Sequence, residues 1–149
     1  MSYIHYGSSE FDINKFGMIT NQETNKPLGG LWASPIDEAH YCWKDWCLSN
    51  DYKVEKLKES FTFDIEPDAK ILRIWSNYDL YQLDIYDNDL RYHWPKRPGH
   101  TWWNLNFERM VHDGYDGMEV IISTNDIYYA LYGWDCDSLL VFNPDIMIF

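Results

Sequence analysis

Apolar and polar positions alternate most cleanly in ESFTFDIEPDAKILRIW, Glu59 to Trp75. Phe61, Phe63 and Ile65 are separated by polar residues, Pro67-Asp68 marks a turn, and Ile71, Leu72 and Ile74 resume the run, which predicts two strands. Tyr3 to Ser8 is short and aromatic and reads as a first strand. Phe11 to Pro27 is polar and reads as a loop or short helix. Leu31-Trp32-Ala33 reads as a second strand, entered through Gly29-Gly30 and ended by Pro35. The period then changes. Ala39, Cys42, Trp43 and Trp46 recur at helical spacing, so Ile36 to Leu48 is expected to form a helix whose aromatics pack in the core. Ser34 suits its N-cap, Pro35 its first turn, and Asp37 and Glu38 its positive end.

Further on, Asp79 to Gly99 is polar and irregular, and the loop from His93 to Trp103 carries Arg97 and His100. Trp102 to His112 reads as a helix, GYDGMEVII as a turn entering a strand, and IYYALYGW as another strand. Leu139 to Phe142 is a last strand before a turn at Asn143-Pro144. Short strands with a few intervening helices give an α+β class in one domain spanning residues 1–149. Regular βαβ alternation is missing, as are a G-x-G-x-x-G after a strand and a Walker-type loop, so Rossmann and P-loop chemistry is disfavoured.

Composition narrows this picture. A hydrophobic fraction of 46% with 18% aromatics excludes disorder, and no apolar run reaches bilayer-spanning length. The start lacks a signal-peptide pattern, which gives a cytoplasmic expectation. The net charge of −12 disfavours phosphate backbones and favours a basic protein partner. Cys42, Cys47 and Cys136 are an odd set, which suits a reducing compartment better than a disulfide framework. Together with His40 they match no standard zinc spacing, and DCDSLLVFNPD lacks the glycine turn and terminal Glu of an EF-hand loop, so no metal is expected.

Three pieces occur in a telling order: His5-Tyr6-Gly7-Ser8 on the first strand, Gly30-Leu31-Trp32-Ala33-Ser34 before an Ala39-His40-Tyr41-Cys42 stretch, and Ser138-Leu139-Leu140-Val141-Phe142 on the last strand. This order resembles the ADP-ribosyltransferase fold of the diphtheria-toxin and poly(ADP-ribose) polymerase class. The resemblance implies a split mixed β-sheet with a few helices. It also implies NAD as cofactor and substrate, and transfer of one ADP-ribose to a macromolecular target, for which the net charge of −12 favours a protein over a nucleic acid. His5, Tyr6, Gly7, Ser8, Trp32 and Ser34 would bind NAD, with Trp32 against the nicotinamide. The setting it implies is a bacterial toxin or a phage effector.

The chain departs from the family pattern in three places. Tyr6 separates His5 from Gly7, Trp32 replaces the usual Tyr, and Ser138 stands at the position of the catalytic Glu. Loss of that Glu in the family implies mono-transfer or none. Asp137, one residue earlier, is the expected replacement beside His5, because cleavage of the N-glycosidic bond develops oxocarbenium-like positive charge that a carboxylate stabilises. Glu119 and Asp135 are the other carboxylates near these strands. Two alternatives stay open: a catalytically silent NAD or nucleotide binder, and an acidic inhibitor that acts through its surface. Residue by residue, His5 also reads as a strand histidine bonded to a carbonyl, and Ser34 as a plain helix cap.

Overall fold

The computed structural model describes residues 1–22, 25–76, 78–79, 105–122, 131 and 133–149. The strands expected on IYYALYGW and the loop carrying Arg97 and His100 lie outside these, apart from Leu131, Gly133 and Trp134. The described strands are β1 (Ser2–Tyr6), β2 (Leu31–Pro35), β3 (Ser60–Ile65), β4 (Ile71–Ile74), β5 (Gly117–Val120), β6 (Ser138–Val141) and β7 (Met147–Ile148). The described elements also include the α-helices α1 (Trp43–Asn50) and α2 (Phe107–His112) and three short 3-10 turns.

The strands form one mixed sheet in the order β4-β5-β6-β2-β1-β3-β7. Among the described strands only β4 and β5 run parallel; the remaining pairs are antiparallel. Side-chain alternation divides β6 between two cores. Leu140 joins Met118, Val120 and Trp134 on one face, while Leu139 and Val141 join Tyr3, Ala33 and Phe63 on the other. Burial of both faces explains why this strand reads as a continuous apolar run. Each fully buried Leu or Met here contributes about 1.5–3 kcal/mol.

The sheet is curled. Tyr3 on β1 donates its hydroxyl to the buried carboxylate of Glu119 on β5, across the two strands that separate them in the sheet. Glu119 also accepts from the Trp75 indole N–H at 3.3 Å and lies 3.4 Å from Arg73 Nε. Burial, reinforced by Glu119, raises the Tyr3 pKa, so the phenol stays a donor.

The helix predicted over Ile36 to Leu48 begins later, at Trp43. Residues 36–42 instead form a fixed loop. The Ile36 N–H bonds Ser2 O at 2.9 Å, the Ala39 N–H is taken by Asp37 Oδ1 at 2.8 Å, and the His40 N–H by Asp37 O at 3.1 Å. Asp37 therefore closes an Asx turn instead of decorating a first helical turn. Ser34 does serve a helix end, but at a distance in sequence: its hydroxyl accepts the Trp43 N–H at 3.1 Å. Asp45 returns to the Cys42 N–H at 2.9 Å. Expected in the core, Trp43 and Trp46 are partly exposed. They stack on each other at 5.1 Å with Tyr52 edge-on to both.

Likewise, α2 starts at Phe107 behind an Asn106 cap that accepts the Arg109 N–H at 3.0 Å, later than the predicted Trp102. Gly29 and Gly30 have φ of 82° and 71°, the left-handed region that glycine enters without strain. A Cβ on Gly29 would lie 2.2 Å from Met18 O, and one on Gly30 would lie 2.7 Å from Val141 O. The glycine pair thus sets the entry of β2 into the sheet.

Candidate functional site

Adjacency of β6, β2 and β1 brings the three sequence pieces together. His5, Tyr6, Gly7, Trp32, Ser34 and Ser138 all line one cavity of about 450 Å³. Ser8 does not; it faces a separate depression and donates to Glu10 O at 3.2 Å. Register explains the grouping, since Ile4 pairs with Ser34 on β2 and Trp32 pairs with Leu140 on β6. Residues at alternate positions therefore present Ile4, Tyr6, Trp32, Ser34 and Ser138 along one face of the sheet.

The cavity walls are aromatic. Trp32 meets Trp134 edge-on at 4.7 Å, and Trp43 supplies a third indole from the start of α1. Cations surround them. Lys26 Nζ stands 5.6 Å over the Trp32 ring and 3.7 Å from Asp135, and Lys53 and Lys56 also line the cavity. The last two come from a hook after α1, where Asp51 and Lys53 hold left-handed φ of 48° and 46° and the Tyr52 N–H returns to Cys47 O at 3.0 Å. Non-glycine residues in that region cost about 1–3 kcal/mol each. The hook carries these two lysines to the border of the cavity.

His5 is held in place. Its Nδ1 lies 2.7 Å from Trp32 O, and its ring tilts against Phe61 at 5.1 Å. This is the carbonyl-bonded strand histidine of the plainer sequence reading, at a position that also borders the cavity.

Asp137 is placed differently. The cavity is lined by Cys136 and Ser138, while Asp137, between them, is absent from the lining and 0% exposed. Its Oδ1 accepts the Ile122 N–H at 2.8 Å, and its Oδ2 lies 2.8 Å from His40 Nδ1. Its own N–H donates to Tyr41 O at 2.9 Å. These contacts make Asp137 a clamp joining the end of β5, the start of β6 and the 36–42 loop. Asp135 is the carboxylate that borders the cavity.

Ser138 donates to Cys136 O at 2.9 Å. Burial pushes the Cys136 thiol up to about 12, so it is a poor nucleophile at neutral pH. Burial, with Asp45, Asp137 and Asp37 nearby, pushes Cys42 up to about 11.

Sequence reasoning missed Trp43, Trp134 and the three lysines of the cavity. The signal for Trp43 was its place just after the second strand. Lys53 and Lys56 carried none, because the hook that brings them to the cavity border depends on left-handed residues that are neither Gly nor Asn. Among the described residues, no group of three or more His, Cys, Asp or Glu side chains is arranged to hold a metal ion, and no helix is long and apolar enough to cross a membrane. Comparison of the chain with known protein families, with curated proteins and with solved structures gives no match.

Proposed function

We propose that this chain binds NAD in the cavity bordered by β1, β2 and β6, and that it transfers ADP-ribose from NAD to a protein. The observation that carries this reading is convergence. The pieces that resemble an ADP-ribosyltransferase lie far apart in sequence, yet His5, Trp32 and Ser138 border one cavity. Its chemistry suits an anionic ligand with flat rings. Indole faces attract the positively charged nicotinamide by about 0.5–2 kcal/mol. Lys26, Lys53 and Lys56 supply charge for the two phosphates. Asp135, which borders the cavity beside Lys26, replaces Asp137 as the carboxylate for the developing ribosyl cation.

A second reading has its own observation. Ser138 occupies the position of the family's glutamate, and Asp137 has both oxygens engaged behind the cavity wall. This favours a domain that binds NAD and leaves it intact.

Isothermal titration of NAD into the wild type, His5→Ala and Trp32→Ala tests binding, and nicotinamide release from NAD tests transfer. Micromolar binding lost in both variants, with nicotinamide released, supports the transferase. The same binding without release supports the silent binder. A well-folded wild type that binds no NAD refutes both.

A further inference from the structure

We propose that the groove between the 36–42 loop and α1 is a docking site for a basic protein segment with an apolar anchor. The groove is lined by Ile4 and Tyr6 from β1, by the loop, and by Lys44, Asp45, Leu48 and Ser49 of α1. Its apolar side chains lie open to solvent: Ile36 is 48% exposed, Leu48 54% and Tyr41 37%. Three such residues on one concave surface form a patch, unlike single apolar residues scattered over a surface.

Charge commits the occupant. Asp37, Glu38 and Asp45 line the groove against one cation, Lys44. The whole chain carries a net charge of −12, which steers positive partners toward it. A segment that alternates Lys or Arg with a large apolar residue satisfies both features, whereas an acidic or wholly apolar segment leaves one unmatched.

The loop is also preorganised, which lowers the entropy lost on binding. Its start is tied to β1 through Ile36 N–H and Ser2 O, and its middle by the Asp37 turn. Its end is tied to β6 by the His40–Asp137 pair and by the Asp137 N–H to Tyr41 O. The buried aspartate therefore braces an exposed recognition surface. Ile4 and Tyr6 border both the groove and the lysine-rich cavity, so a segment seated in the groove lies beside whatever the cavity holds. Docking itself does not depend on a ligand in that cavity.

The test is fluorescence anisotropy of a labelled synthetic peptide alternating Leu with Lys and Arg. Its control is the peptide in which every Lys and Arg is replaced by Glu. The wild type is expected to bind the basic peptide in the micromolar range, more weakly as salt rises. Glu38→Lys should weaken binding on the order of tenfold and Leu48→Ala roughly fivefold. Both side chains are exposed, so both variants should unfold like the wild type. His5→Ala should bind the peptide normally even where NAD binding is lost, which separates failure of this proposal from failure of the NAD reading. The proposal is overturned if the basic peptide binds no better than its acidic control, or if binding is indifferent to both groove substitutions. Concentration-dependent self-association abolished by Leu48→Ala would overturn it too, by giving the face to a second copy of this chain.

Discussion

Replacing Asp137 separates a structural carboxylate from a catalytic one. Asp137→Ala removes the acceptor of the Ile122 N–H at 2.8 Å and the partner of His40 Nδ1 at 2.8 Å, from a side chain with no exposed surface. An unpaired buried N–H costs about 1–3 kcal/mol, and a hydrogen bond to a charged group contributes about 1.5–3 kcal/mol. Losing both contacts from a side chain with no exposed surface gives an expected loss of about 3–5 kcal/mol. Domains of this kind are stable by about 5–15 kcal/mol, so the variant should still fold but lose much of its margin. Asp137→Asn keeps a carbonyl oxygen for Ile122 but turns an amide NH2 instead of an acceptor toward His40 Nδ1, so it should cost about 1–2 kcal/mol. Urea unfolding at neutral pH, followed by circular dichroism, measures both values. A thermal scan should show the alanine variant melting roughly 6–20 °C lower. If Asp137→Ala unfolds within about 0.5 kcal/mol of the wild type, the bracing role is wrong. If that same variant has also lost NAD cleavage, Asp137 returns to the catalytic position that the sequence suggested.

Three other outcomes follow from the geometry. Gly29→Ala should destabilise by more than about 2 kcal/mol, because its Cβ would sit 2.2 Å from Met18 O at a φ of 82°. Gly114→Ala, at φ 88° with nothing within 4 Å, should cost only about 1–2 kcal/mol of backbone strain, and equal losses in denaturant melts would refute the clash argument. Lys53→Glu combined with Lys56→Glu should weaken NAD binding at least tenfold and flatten its salt dependence in calorimetry, whereas an unchanged salt slope would detach these lysines from the phosphates. Cys42, whose pKa is raised from 9.0 to about 11, holds its proton at pH 8, so iodoacetamide should label it slowly in the folded protein and faster as pH rises toward 11. Labelling at pH 8 as fast as in the urea-unfolded chain would contradict that.

The strands were legible in the sequence because their signal is local. Alternation at Phe61, Phe63 and Ile65, and the β-rich run at Leu139 to Phe142, fix β3 and β6 without knowledge of neighbours. The start of α1 was not legible. Ser34, Pro35, Asp37 and Glu38 satisfy the rules for a helix entrance, but Ile36 is claimed by Ser2 and Asp37 by its own turn, and both are tertiary or turn chemistry that outweighs a propensity. Nor does period alone separate a core tryptophan from a surface one. Trp43 and Trp46 have the spacing of an apolar stripe, yet neither joins a buried cluster, and their indoles pack on each other and on Tyr52.

The candidate site turns on a difference of one residue. Neighbours on an extended chain point to opposite sides, so of Asp137 and Ser138 only one can present its side chain on the face of the sheet that carries Trp32 and Ser34. The sequence places both at the head of the last strand and cannot tell which one faces inward. Register decides it. Trp32 pairs with Leu140, which puts Ser138 on the face of Trp32 and Ser34 and leaves Asp137 to the opposite side, where the Ile122 N–H and His40 meet it. A carboxylate that this strand presents to the face of Trp32 and Ser34 would have to stand at position 138. Ser138→Glu therefore puts the two proposed functions to a direct test. A glutamate there would border the cavity that Cys136 and the three lysines also line, and a domain built for transfer should then release nicotinamide faster than the wild type. NAD binding kept, with release no faster than before, would leave binding as the function of the fold.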